Sequence, residues 1–138
     1  KRGGLSDSWQ IILGDTVGDL RWLWALADIA FVGGSFGDRG GQNMIEPAAY
    51  GAAVAVGPNT SNFKEVVSLL LACEGLSQLQ QPSELAPWAS KMLRDSQTRK
   101  AIGYRAQQLI AAQRGAVDMT MRSLSHLLTS NESVTTSS

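Results

Sequence analysis

Three short apolar runs, each closed by a glycine, decide which architectures are open to this chain. They are QIIL (10–13) before Gly14, IAFV (29–32) before Gly33 and AVAV (53–56) before Gly57. Runs of this length that end at a turn signal read as strands buried on both faces. The segments between them follow a helical period. Leu20, Leu23, Trp24 and Ala27 fall at i, i+3, i+4 and i+7, and Phe63, Val66, Val67, Leu70 and Leu71 share one helical face. Strands that alternate with helices at this spacing predict an α/β fold built on a parallel sheet with flanking helices and right-handed crossovers.

The local signals place the element ends. Thr16 or Asp15 can cap the first helix, with Asp19 in its first turn. Asn43–Tyr50 reads as a short helix closed by Gly51 at its C-terminal cap. Asn62 followed by Glu65 has capping-box spacing for the next helix. Ser77–Gln80 predicts a fourth strand. Three helices then follow. Ser83 caps the first, carrying Leu85, Trp88, Ala89, Met92 and Leu93. Ser96 or Asp95 opens the second, with Ile102, Ala106, Leu109 and Ile110. Gly115 separates the third, with Val117, Met121, Leu124 and Leu128. The expected domain is residues 1–128, and the polar run TSNESVTTSS (129–138) is expected to be a disordered tail.

Composition narrows the function classes. The 12 Lys and Arg balance 12 Asp and Glu, so the basic stripe of a nucleic-acid binder is missing and no nucleic-acid partner is expected. One cysteine, Cys73, allows no internal disulfide and is expected to be a small buried hydrophobe. With it and a single histidine, His126, no His/Cys zinc site can be assembled, and no cofactor is called for. Asp15 and Asp19 have no third ligand nearby in the sequence, and capping roles account for them. His126 is too far along the chain for a Ser/His/Asp triad with the loops. Trp24 is expected in the core, and Trp22, on another face of the same helix, toward solvent or a missing part of the protein.

The richest stretch is FVGGSFGDRGGQNMIEPAAYG (31–51), with six glycines in 21 residues. It lies beyond the carboxyl end of a strand, where open α/β sheets bind ligands. It matches neither the dinucleotide nor the P-loop fingerprint. Glycines that let the backbone approach a ligand, followed by a helix N-terminus at Asn43, suit an anion. A long turn with unusual φ angles is the other reading, and composition does not separate the two. Glu46, one turn into the helix, is either a surface carboxylate favoured by the helix dipole or an acceptor for the two hydroxyls of a ribose.

GDTVGDL (14–20), ADIAFVGGS (27–35), GGQNMIEPAAYG (40–51) and GPNTSNFKEV (57–66), in this order and spacing, resemble the C-terminal half of the bacterial Kdo transferases. These enzymes move 3-deoxy-D-manno-octulosonic acid (Kdo) from CMP-Kdo onto lipid A precursors in lipopolysaccharide synthesis. The resemblance covers roughly residues 10–128. It implies the C-terminal, Rossmann-like half of a GT-B glycosyltransferase, which holds the nucleotide of the donor. The CMP contacts it implies are Val17, Gly18 and Asp19 in the first loop, and Asn43, Met44, Ile45 and Glu46 at the start of the helix after the glycine loop. Amides around Asn43 would hold the phosphate, Glu46 the ribose, and the Val17–Asp19 backbone the cytosine side, with Ser35 a further candidate near the phosphate.

The same resemblance puts the catalytic base, a glutamate, and the acceptor lipid in an N-terminal half. The chain is therefore expected to be a fragment, inactive alone, with no catalytic residue of its own. It is expected at the cytoplasmic face of the inner membrane, with membrane contact only through that other half. Asp19 stands where the family usually has Glu, and Gln42 where it usually has His. A UDP-sugar transferase and a non-enzymatic α/β binding module are the rival readings.

Overall fold

The computed structural model describes Leu13, Gly14, Gly18 and residues 20–132, with side chains as far as Arg122. The expected strand at Gln10–Leu13 apart from Leu13, the cap at Asp15 or Thr16 and the side chain of His126 lie outside the described residues.

Strand β1 (Ile29–Phe31) follows helix α1 (Leu20–Leu26), and helix α2 (Ile45–Ala49) leads into strand β2 (Ala53–Val56). Helix α3 (Lys64–Ala72) leads into β3 (Leu76–Gln78), and α4 (Leu85–Arg94) and α5 (Ser96–Glu132) complete the chain. The strands form one parallel sheet in the order β1-β2-β3, with Ala30 opposite Val54 and Val54 opposite Leu76. This is the expected α/β architecture.

The central strand is buried along its whole length, because helices cover both faces of the sheet. Successive side chains of a strand point to opposite faces. Val54 and Val56 accordingly join Ala30, Val32 and Leu76 in the larger core, with Met44, Leu70, Ala106 and Ile110 from the helices. Ala53 faces the other way, toward Met92, Ile102 and the partly buried Ile29 and Trp88. A strand buried on both faces reads as a continuous apolar run, which is why AVAV was legible.

Helix α2 ends as its sequence predicts. Gly51 takes φ +83°, the Gly51 amide donates to Ala48 O at 3.1 Å and the Ala52 amide to Pro47 O at 3.2 Å. These are the paired bonds of a Schellman cap, which needs a left-handed residue that glycine adopts without a Cβ penalty. Trp22 is 62% exposed, and Trp24 is half-buried against the main core. Cys73 is half-buried rather than fully enclosed.

Other expectations are corrected. Gly115 does not separate two helices; α5 runs through it to Glu132. A glycine inside an exposed helix costs about 1 kcal/mol against alanine, too little to break a helix without a competing left-handed turn. Nor does Ser83 cap α4. A 3-10 turn, Pro82–Glu84, precedes the helix, and Glu84 Oε2 accepts the Gln80 amide at 2.9 Å. Asp95, not Ser96, opens α5: its Oδ1 accepts the Thr98 amide at 2.9 Å and its Oδ2 the Thr98 hydroxyl at 2.6 Å. The capping box at Asn62 and Glu65 does not form either. A 3-10 turn, Ser61–Phe63, leads into α3, and Phe63 stands at the cap without a side-chain bond.

Candidate functional site

Because the strands are parallel, the loops after β1 and β2 leave the sheet at the same edge. The first is the glycine loop. Its base is closed by two backbone bonds, Gly41 N to Gly34 O at 2.9 Å and Gln42 N to Gly33 O at 3.1 Å. Its tip is tied down by the loop after β2. Asn59 Nδ2 donates to Gly37 O at 2.8 Å, and Asn62 Nδ2 donates to Arg39 O at 2.8 Å and Gly41 O at 3.3 Å. Here lies the reason for the missing capping box: the Asn62 side chain is spent on the glycine loop. Gly40 sits beneath it at φ +75°, and a Cβ there would come within 2.5 Å of Ser61 Oγ and 2.8 Å of Asn62 Nδ2. The loop therefore combines a left-handed backbone with a close approach, both of which require glycine.

Ser35 is part of this knot. It is fully buried; its hydroxyl donates to Val32 O at 3.0 Å and accepts the Gly57 amide at 2.7 Å, while its carbonyl accepts the Asn59 amide at 2.9 Å. The hydroxyl donates and accepts inside the protein, so Ser35 joins the two loops.

The knot delivers the chain to α2 in a fixed register. Asn43 and Glu46 are exposed and adjacent, Ile45 is half-buried, and Met44 is completely buried in the main core. Met44 can therefore meet a ligand only through its backbone. Asn43 Oδ1 accepts the Ile45 amide at 3.0 Å, and Asn43 Nδ2 reaches Glu46 Oε1 at 3.4 Å. Pro47 has no N–H to offer. Of the first helical amides, that of Ile45 is thus taken by Asn43, and that of Glu46 has no partner among the described residues. Gly18, of the first loop, is exposed with φ +96°; Val17 and Asp19 lie outside the described residues.

One flank of α2 carries a feature that the motifs did not predict. Glu46, Ala49 and Tyr50 share a helical face and line a cleft of about 340 Å³ whose other walls are Arg21 from α1 and Arg114 from α5. Arg21 directly follows the GDTVGDL motif, which is the one clue to it in the sequence. Nothing in the local sequence marks Arg114, because only the packing of α5 on α2 brings it there. A second, more apolar groove of about 470 Å³ lies between α3 and α5, with Val66, Leu69, Ile110 and Val117 in its walls. Among the described residues no group of three metal-ligating side chains comes together, and no helix is long and apolar enough to cross a membrane.

No family model matches the chain. Individual proteins do. Over 114 residues, 83% of this chain, it is 38% identical to a 3-deoxy-D-manno-octulosonic acid transferase of Bordetella pertussis. Over 127 residues, 91% of this chain, it is 32% identical to the protein of the same name from Haemophilus influenzae. The chain is homologous to a segment of the Kdo transferases. It spans 27% and 30% of the lengths of those two Kdo transferases. Its fold also matches the crystal structure of the C-terminal CMP-Kdo binding domain of WaaA from Acinetobacter baumannii, with TM-score 0.67 and 24% identity. That match covers 70% of this chain and 51% of the other. The sheet with its covering helices is thus a Kdo-transferase fold, and the pinned glycine loop and the start of α2 lie within the segment that resembles those enzymes.

Proposed function

We propose that this chain is the donor-binding part of a GT-B glycosyltransferase that transfers Kdo from CMP-Kdo to a lipid A precursor. The observation that carries the reading is the exposed pair Asn43 and Glu46, presented side by side by a loop whose tip and base are both fastened. A binding site gains from such fastening because less conformational freedom is lost when the ligand arrives.

In this reading Glu46 accepts hydrogen bonds from the two ribose hydroxyls, the amides at the start of α2 face the phosphate, and the Val17–Asp19 backbone borders the cytosine. Ile45 shapes the ribose side, and Met44 contributes only its backbone. The reaction is a metal-independent inverting transfer. A glutamate outside this chain takes the proton of the acceptor hydroxyl, the oxygen attacks the Kdo anomeric carbon, and CMP leaves. This chain's share is to orient the donor and to stabilise charge on the departing phosphate. It contributes no base, and alone it is inactive. The membrane and the acceptor lipid are met through the other half, at the cytoplasmic face of the inner membrane.

Titrating the full-length protein with CMP and with UMP by calorimetry tests this. The expected result is saturable CMP binding, weaker UMP binding, and a loss of about tenfold or more in CMP affinity on Glu46→Ala, in line with two hydrogen bonds to a charged acceptor. Preference for UMP would move the donor to a UDP-sugar. No binding of either nucleotide at millimolar concentration would leave an α/β binding module without a transferase role.

A further inference from the structure

The cleft beside Glu46 holds more positive charge than the donor site has been assigned. Arg21 and Arg114 both line it, with one carboxylate, Glu46, between them. Neither arginine has an ion-pair partner among the described residues. The ion pairs there involve Arg99 with Asp28 and Arg105 with Glu74. Glu46 is engaged by Asn43, and Arg21 lies 5.0 Å from the Trp22 ring. Both guanidiniums line one cavity, and an oxyanion between them would offset their like charge. Each presents a planar fork of N–H donors that fits phosphate or carboxylate oxygens in pairs.

Gln42 supplies none of this charge. It is exposed at the mouth of α2 but cannot be protonated near neutral pH, so it offers no positive charge to an anionic donor.

We propose that Arg21 and Arg114 form the cationic wall of the donor site and bind an oxyanion of the donor, its phosphate or the carboxylate of its acidic sugar, while Glu46 holds the ribose. This rests on the function proposed above. It adds two arginines, from the first and last helices, to a site otherwise built from the loops at the sheet edge.

The test uses the full-length protein and its Arg21→Gln, Arg114→Gln and doubly substituted forms. Cytidine and CMP are titrated by calorimetry at two salt concentrations, and KM is measured for CMP-Kdo. Binding of the phosphate predicts that each single change lowers CMP affinity about tenfold, as for loss of a charge-assisted bond, leaves cytidine affinity unchanged and flattens the salt dependence. Binding of the sugar carboxylate predicts unchanged CMP affinity and a KM for CMP-Kdo raised about tenfold. Arg114→Lys should recover part of the loss, since the charge returns without the fork.

The proposal is overturned if the double variant matches wild type in both CMP affinity and donor KM, or if cytidine and CMP lose affinity equally. Both arginines are exposed, and thermal unfolding of each variant establishes that it is folded. Failure of the wild-type protein to bind CMP or use CMP-Kdo is a different result, and it overturns the donor-site reading itself.

Discussion

The Asn62 side-chain amide donates to the Arg39 carbonyl at 2.8 Å, so a residue with the spacing of a helix cap instead holds the tip of the glycine loop. The same amide reaches Gly41 O at 3.3 Å, and Gly40 between those two acceptors has no side chain to obstruct it. One amide group therefore sets the path of the chain immediately before the candidate donor site.

Asn62→Asp tests that relationship. The shape is kept, but a donor facing two carbonyls becomes an acceptor. The loss is about 1 kcal/mol or more of loop stability. Amide hydrogen exchange across residues 33–43 should accelerate about fivefold, and CMP affinity should fall with it. Exchange in this loop equal to wild type would show that the bonds contribute nothing.

Gly103→Ala should destabilise the protein although alanine is the better helix former. Intrinsic propensity favours the change by about 1 kcal/mol. Gly103, however, lies where α5 crosses the end of α2, and an added Cβ would overlap the Gly51 carbonyl oxygen, with the Gly51 carbonyl carbon at 2.8 Å. Backbone cannot move aside as a side-chain end can, so overpacking of about 1–3 kcal/mol or more should prevail. A lower midpoint in thermal unfolding is expected; an unchanged or higher one would contradict the packing of α5 on α2.

Glu74→Gly should do the opposite. Glu74 is the one non-glycine residue with positive φ among the described residues, at 52°, in the turn that closes α3. The left-handed conformation costs an ordinary residue about 1–2 kcal/mol, and glycine returns about 0.5–1 kcal/mol of that as lost chain entropy. The net gain is about 0.5–1 kcal/mol. Arg105 donates to the Glu74 backbone carbonyl at 3.1 and 2.8 Å, which glycine retains. The carboxylate pair given up is 3.8 Å long and mostly exposed on the Glu74 side, and such pairs contribute little. Chemical denaturation should show a higher midpoint, and a lower one would mean that the carboxylate matters after all.

Asp95 supplies an acid-sensitive element of stability. The hydrogen bonds from the Thr98 hydroxyl and the Thr98 amide, with a smaller contribution from Lys91, hold its carboxyl below the ordinary value of 3.8. The unfolded chain therefore takes up the proton first. The stabilisation is fully present above pH 3.8 and is lost as pH falls through the lower, folded value. The stability difference between wild type and Asp95→Ala should shrink below about pH 4. A difference that stays constant from pH 6 to pH 2 would contradict the assignment.

Much of the fold was written locally. AVAV, IAFV and the helical stripes each report burial on their own element, and Gly51 marks a left-handed cap that few other residues tolerate. Errors arose where a residue's local preference competed with a distant partner. Asn62 has the side chain for a cap, but two carbonyls of the preceding loop claim it. Gly115 has the entropy of a breaker, but nothing in the structure favours a turn there.

The alternation of strands and helices and the parallel sheet follow from the sequence alone, because backbone periodicity and glycine turns are encoded along the chain. Packing in three dimensions set the rest: Asn59 and Asn62 fasten the glycine loop, Met44 is closed off in the core, and Arg21 and Arg114 line one cleft with Glu46. Those outcomes depend on which elements pack side by side. Burial of the sheet beneath α2 and α5 brings distant segments together, and no local spacing records that.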